Sequence, residues 1–112
     1  MYQVIKRDGQ IAEFDIKKIA LAITKAFDAV QKQYHPSIID MLARKVTADF
    51  EPKIREGKIA VEDIQDSVEA VLSEAGYADV AKCYILYRKQ REKIRNMNST
   101  MLDYKALVNS YV

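Results

Sequence analysis

The sequence predicts an α+β domain in which a small antiparallel sheet packs on about four α-helices. Three observations carry this expectation. Two short runs rich in Val, Ile and Phe flank Asp8-Gly9 near the N-terminus. From Ile16 onward the apolar residues recur at helical rather than strand spacing. The helical stretches are then punctuated by His35-Pro36, Pro52 and Gly76. With 112 residues and 49% apolar composition, the chain suits one domain with a real buried core.

Residues 2–7 and 10–14 read as two antiparallel strands, because Asp8-Gly9 favours a tight turn whose positive φ glycine tolerates. The hairpin ends at Asp15, which stands where an N-cap belongs. Ile16, Ile19, Ala20, Ile23, Phe27 and Val30 then form one face of a helix reaching about Lys32. His35-Pro36 interrupts it, since a residue before proline is pushed out of the helical region, and Ser37 is placed to cap a second helix. That helix carries Ile38, Leu42, Val46, Phe50 and Ile54 at every fourth position, but Pro52 should kink or end it near Phe50.

Residues 58–61 tolerate β structure and offer a third strand for the hairpin. A third helix over 62–75 has Glu62 and Asp63 where the dipole favours acids, a stripe of Ile64, Val68, Val71 and Leu72, and Gly76 beyond its end. A fourth over 78–94 buries Ala81, Tyr84 and Ile85 with Tyr77 or Val80, and ends in a cationic run from Arg88 to Lys93.

Charge narrows the function. The formal net charge is +2, from 18 basic and 16 acidic side chains that are mostly interspersed, so bulk electrostatics announce neither nucleic acid nor membrane. Cys83 is the single cysteine, which rules out an internal disulfide framework or a multi-cysteine zinc site and suits a reducing compartment. No run approaches the roughly 18 apolar residues of a membrane span, and a soluble, cytoplasmic protein is expected. Neither standard glycine-rich phosphate motif occurs, and the lone His35 has no cysteine or metal-ligand partner at useful spacing. No catalytic or metal-binding residue is assigned.

One local inconsistency stands out. Lys17 and Lys18 occupy the first turn of the first helix, where the dipole disfavours a cation by a few tenths of a kcal/mol to about 1 kcal/mol. Lys18 even holds the position where a capping box has Glu or Gln. An anion at that helix end would be met by backbone N–H groups, by Lys18, and by Lys6 and Arg7 of the hairpin. On a regular strand Lys6 and Arg7 point to opposite faces, so both reach one site only if the turn twists the strand or one side chain wraps round. The alternative is that these are ordinary solvated lysines on a hairpin and helix edge.

The residues Val4-Ile5-Lys6-Arg7-Asp8-Gly9, Phe14-Asp15, Lys18-Ile19, Ile64-Gln65-Asp66 with Val68-Glu69, Val80-Ala81, Tyr84-Ile85, and Tyr87-Arg88 with Arg91 together resemble the ATP-cone. That family is the small regulatory nucleotide-binding domain of ribonucleotide reductases, and the resemblance covers about residues 2–94. It implies that Lys6, Arg7 and Lys18 bind a triphosphate, that Val4, Asp15 and Ile19 lie near the adenine with Glu13 as a neighbour, and that Val61 and Gln65 face the nucleotide. Some members carry Thr and His at the last two positions, and this chain departs from them. It also implies a phosphate contact from a basic residue late in the fourth helix, for which Arg88, Lys89 and Arg91 compete.

The implied effectors are ATP, which sustains overall activity, and dATP, which lowers it, with Mg²⁺ accompanying the phosphates. The implied partners are the catalytic domain of the same chain and further copies in a homo-oligomer, and the domain itself is a switch, not an enzyme. Residues 95–112 resemble the linker after the cone in the anaerobic, glycyl-radical class, and Leu107, Val108, Tyr111 and Val112 leave an apolar pattern at the chain's end. The expectation is therefore a cone over 1–94 and a linker over 95–112, forming the N-terminal piece of a ribonucleoside-triphosphate reductase. Two other readings are a nucleic-acid-binding module using the basic fourth helix, and a cone-containing transcriptional regulator. The regulator's cysteine-rich zinc ribbon has no counterpart here.

Overall fold

The fold was obtained as a computed structural model, which describes residues 2–98, with side chains described for residues 2–93. Its elements run β1 (Gln3–Ile5), β2 (Ile11–Glu13), α1 (Ile16–Ala29), α2 (Pro36–Phe50), a 3-10 turn (Glu51–Lys53), β3 (Lys58–Ala60), α3 (Val61–Glu74) and α4 (Ala78–Asn98). The α+β class, the hairpin and the four helices are as the sequence predicts, with α4 continuing beyond the expected end at Ile94. Residues 99–112, which include the whole apolar tail pattern of Leu107, Val108, Tyr111 and Val112, lie outside the described residues.

The hairpin turn is built from three residues. Lys6 N–H donates to the Gln10 carbonyl at 2.8 Å and Gly9 N–H to the Lys6 carbonyl at 2.9 Å, while Gly9 takes φ +87. This is a tight turn closed by a left-handed glycine, the common three-residue hairpin loop. Asp8 secures it by accepting the Gln10 N–H at 3.0 Å.

Strand order is β2-β1-β3, so the N-terminal strand is the middle one. β1 pairs antiparallel with β2 and parallel with β3. The sheet is thus mixed, because β3 joins after α1 and α2 have carried the chain back to the end where β1 begins. Val4 stands opposite both Ala12 and Ile59, and this row points inward: Val4 is 0% and Ile59 2% exposed.

The helices pack in sequence, α1 on α2, α2 on α3 and α3 on α4, and α4 returns to α1. α1 buries Ile19, Ala22, Ile23, Ala26 and Phe27, leaving Ile16 exposed at its first turn. α2 buries Ile39, Leu42, Ala43, Val46 and Phe50, not the strict every-fourth-residue set. A step of four residues advances about 400° around a helix, so such a row drifts off the core face and Ile38 is only half-buried, while Ile54 lies beyond the end of α2 in extended backbone. α4 buries Val80, Ala81 and Tyr84, with Ile85 half-buried beside them.

The cap of α2 differs from expectation. Pro36 occupies the first helical position, so His35 becomes the N-cap, and its Nδ1 accepts the Ser37 N–H at 3.2 Å. His35 therefore has a structural task. No helix among the described residues is long and apolar enough to cross a membrane.

Candidate functional site

One narrow cleft lies between the first half of α1, the first half of α3 and α4, and the hairpin turn is linked to it through Arg7. Lys18 and Ile19 of α1, Val61 and Gln65 of α3, and Tyr84 of α4 line it. Its volume is about 20 Å³, room for a single water molecule, so a larger ligand must lie across its mouth or open it.

Arg7 reaches this place because it stands in the turn rather than on a strand. Its Nη2 donates to Gln65 Oε1 at 2.9 Å, a contact between residues far apart in the chain. Its Nη1 lies 3.5 Å from Glu62 Oε2 on α3 and 4.0 Å from Glu92 Oε1 on α4. Gln65 is 4% exposed and lines the cleft beside Lys18, so Arg7 and Lys18 flank one buried carboxamide. The structure brings Arg7, Lys18, Ile19, Val61 and Gln65 together.

Other candidates stand apart from the cleft. Lys6, next to Arg7, is exposed and lines none of it. Val4 is wholly buried behind it in the core, and Glu13 is exposed at the end of β2, opposite Gln3. Asp15 caps α1, accepting the Lys17 N–H on Oδ1 at 3.0 Å. The first turn of α1 contains no acidic residue, which leaves the positive end of its dipole opposed only by that cap. Asp15→Ala is expected to lower the unfolding free energy by about 1 kcal/mol, read as a lower denaturation midpoint in urea. An unchanged midpoint would remove the cap from the account.

The three cations of α4 differ sharply. Arg88 is bound to α3 through Asp66 at 2.9 Å and Glu69 at 2.5 Å. Burial works against its charge, yet hydrogen bonds and attraction from Asp66 and Glu69 prevail and hold its pKa above the ordinary value. Lys89 is exposed. Arg91 is 6% exposed, with its guanidinium 6.0 Å from the Tyr87 ring centre. Two turns beyond Tyr84, Arg91 shares the helix face that lines the cleft.

Three residues around the site were not assigned to it by sequence reasoning. Glu62 reads as an ordinary dipole-stabilising acid, Glu92 lies unremarked in the cationic run, and Tyr84 reads as core. For Tyr84 there was a signal in its place among the residues of the family resemblance and in its spacing of seven from Arg91 on one helix. Among the described residues no group of three or more His, Cys, Asp or Glu side chains is placed to hold a metal ion.

Comparison with known proteins identifies the family. Residues 2–93 match the family described as the ATP cone domain. The chain is 40% identical over 99 residues to the vitamin B12-dependent ribonucleoside-diphosphate reductase of Mycobacterium tuberculosis, covering 88% of this chain and 14% of that protein. It is 42% identical over 98 residues to the ribonucleoside-diphosphate reductase subunit alpha of Chlamydia pneumoniae, covering 82% and 9% respectively. The anaerobic ribonucleoside-triphosphate reductase of Haemophilus influenzae is 35% identical over 100 residues, with 89% and 14% covered. The chain thus spans a small part of the length of the curated relatives it matches, and residues 2–93 of its 112 lie within the matched domain. This chain belongs to the ATP-cone domain family.

Proposed function

We propose that the domain binds ATP or dATP where the hairpin turn meets α1 and α3, and that the bound nucleotide sets the overall activity of a ribonucleotide reductase of which this domain is one part. The observation that carries the reading is the meeting of Arg7, Gln65 and Lys18, from three separate elements, beside a helix N-terminus with no acid in its first turn. A triphosphate is the ligand that such a donor set suits: guanidinium forks grip phosphate oxygens, and a helix N-terminus adds backbone donors and a favourable dipole.

Arg7 and Lys18 take the phosphates, with Lys6 approaching from the other side of the turn. Ile19 and Val61 give the base an apolar wall backed by Val4, Gln65 supplies a carboxamide, and Asp15 and Glu13 stand toward the ribose and base edge. From α4 we assign Arg91, since Arg88 is engaged with Asp66 and Glu69 and Lys89 extends into solvent. Mg²⁺ enters with the phosphates, held by their oxygens and water.

Activity control by such a site is linkage. ATP and dATP differ by one hydroxyl, and they regulate in opposite senses only if they favour different conformations or assemblies, a coupling of typically about 1–3 kcal/mol. The partners are then the catalytic domain of the same chain and other copies in a homo-oligomer, and the compartment is the cytoplasm. Residues 1–94 act as the cone and 95–112 as its connection onward; the anaerobic ribonucleoside-triphosphate class is the one we assign. The nucleic-acid reading loses ground, because Arg88, at the head of the cationic run, is already engaged by Asp66 and Glu69.

ATP at ten times its Kd is expected to stabilise the 112-residue chain by about 1.4 kcal/mol, a rise of several degrees in Tm for a domain of this size. A melting series in which neither ATP nor dATP moves the midpoint at millimolar concentration would defeat the proposal.

A further inference from the structure

Arg7 is held by more than nucleotide binding requires. Beyond its hydrogen bond to Gln65, its guanidinium lies within ion-pair distance of a carboxylate on each of two helices, Glu62 in the first turn of α3 and Glu92 late in α4. The Arg7 side chain is 21% exposed, and the two carboxylates are 42% and 53% exposed. The pairs are therefore half-solvated and weak singly, unlike the bonds that fix Arg88.

Carboxylates and phosphates use the same donor fork. A phosphate arriving at Arg7 meets two resident negative charges at the guanidinium it seeks, and like charges at such separations repel. The anions cannot all be close to Arg7, so the weaker ones give way. Glu62 and Glu92 then lose the cation that tied them to the hairpin, and of the two only Glu92 ties the hairpin to α4.

We propose that Glu62 and Glu92 form a carboxylate latch on Arg7, which a nucleoside triphosphate must displace, so that the latch sets the affinity of the site and couples its occupancy to α4. This inference rests on the nucleotide reading above. It makes the ligand-free state a self-neutralised one, in which the chain's own acids stand where phosphate charge would go. It also gives α4, the last described helix, a contact that exists only while the site is empty.

Calorimetric titration of Mg-ATP into the 112-residue chain and its variants tests this. Glu62→Gln and Glu92→Gln are each expected to tighten binding by about two- to fivefold. The gain should shrink at high salt, which screens such pairs. Glu74→Gln makes the same change in net charge at the far, exposed end of α3 and should leave the affinity unaltered. In an Arg7→Ala background the gains should vanish, because the carboxylates then have no guanidinium to withhold. The change in amide exchange of residues 88–92 on ATP binding should differ between the parent and Glu92→Gln, because only in the parent does the segment lose a tether as Arg91 meets the phosphates.

Equal affinity in the parent, Glu62→Gln and Glu92→Gln would overturn the latch, as would an equal gain from Glu74→Gln or a gain that survives in Arg7→Ala. The same ATP response of residues 88–92 in parent and Glu92→Gln would overturn the coupling to α4. A parent that binds no ATP would overturn the nucleotide reading itself, and the latch with it.

Discussion

Arg7→Ala is expected to weaken ATP binding by roughly ten- to a hundredfold. Hydrogen bonds to charged groups are worth about 1.5–3 kcal/mol, and each 1.4 kcal/mol is a factor of ten in Kd. The substitution removes a hairpin side chain that bridges to Gln65 at 2.9 Å, so it also weakens the polar link between the turn and the cleft. Arg7→Lys should fall between the two, since it keeps the charge and loses the two-pronged geometry. The folded state should change little, because the ion pairs it loses are partly exposed. Titration of ATP with a parallel melt separates the cases: parental affinity in Arg7→Ala would exclude Arg7 from the phosphate site, and a large fall in Tm would mean that the residue serves the fold instead.

Phe50→Ala should cost about 3–5 kcal/mol of stability. Phe50 is 0% exposed at the end of α2, where the 3-10 turn begins. Its ring meets Tyr2 edge-on at 6.0 Å and Phe14 at 5.7 Å, while Tyr2 and Phe14 touch each other at 4.7 Å. These rings flank the two strands of the hairpin, so Phe50 is the peg on which the hairpin hangs. Domains of this kind have about 5–15 kcal/mol in total, and the loss should lower Tm by ten degrees or more. Nucleotide binding should suffer with it, since Arg7 depends on where the hairpin rests. Leu86→Ala, at a side chain 56% exposed, should stay within about 0.5 kcal/mol of the parent. A Phe50→Ala chain as stable as Leu86→Ala would refute the account of the hairpin's anchor.

Much of this was legible because it is local. Asp8-Gly9 marks its own turn, Asp15 its own cap, and the 3.6-residue period of α1 is written in consecutive residues. Lys17 and Lys18 signalled an anion by contradicting the dipole of the helix they begin. What the sequence hid depends on the path of the chain. Whether β3 joins parallel or antiparallel follows from how α1 and α2 return it, which no local pattern encodes. The cap of α2 was misassigned to Ser37 because serine is the better capping type, while the position of Pro36 gives the task to His35.

The candidate site divides in the same way. The cations could be picked out individually, but their convergence could not. Lys6 and Arg7 would face opposite ways on a regular strand, but the turn begins one residue earlier than Asp8-Gly9 suggests, which frees Arg7 to reach Gln65. Glu62 and Glu92 escaped notice because each looks ordinary in its own helix. Their meaning comes from a guanidinium delivered by a distant part of the chain.

The central place of β1 in the sheet has a consequence for assembly. Its antiparallel partner follows within a few residues, but its parallel partner begins only at Lys58, beyond the whole of α1 and α2. Pairings over so long a separation carry a large loop-closure cost and form after local helical contacts. During synthesis the first strand made must therefore wait with one edge bare until most of the domain has emerged, and an edge left bare is where chains pair wrongly. The strand at the centre of the sheet is thus among the last in this domain to be sealed.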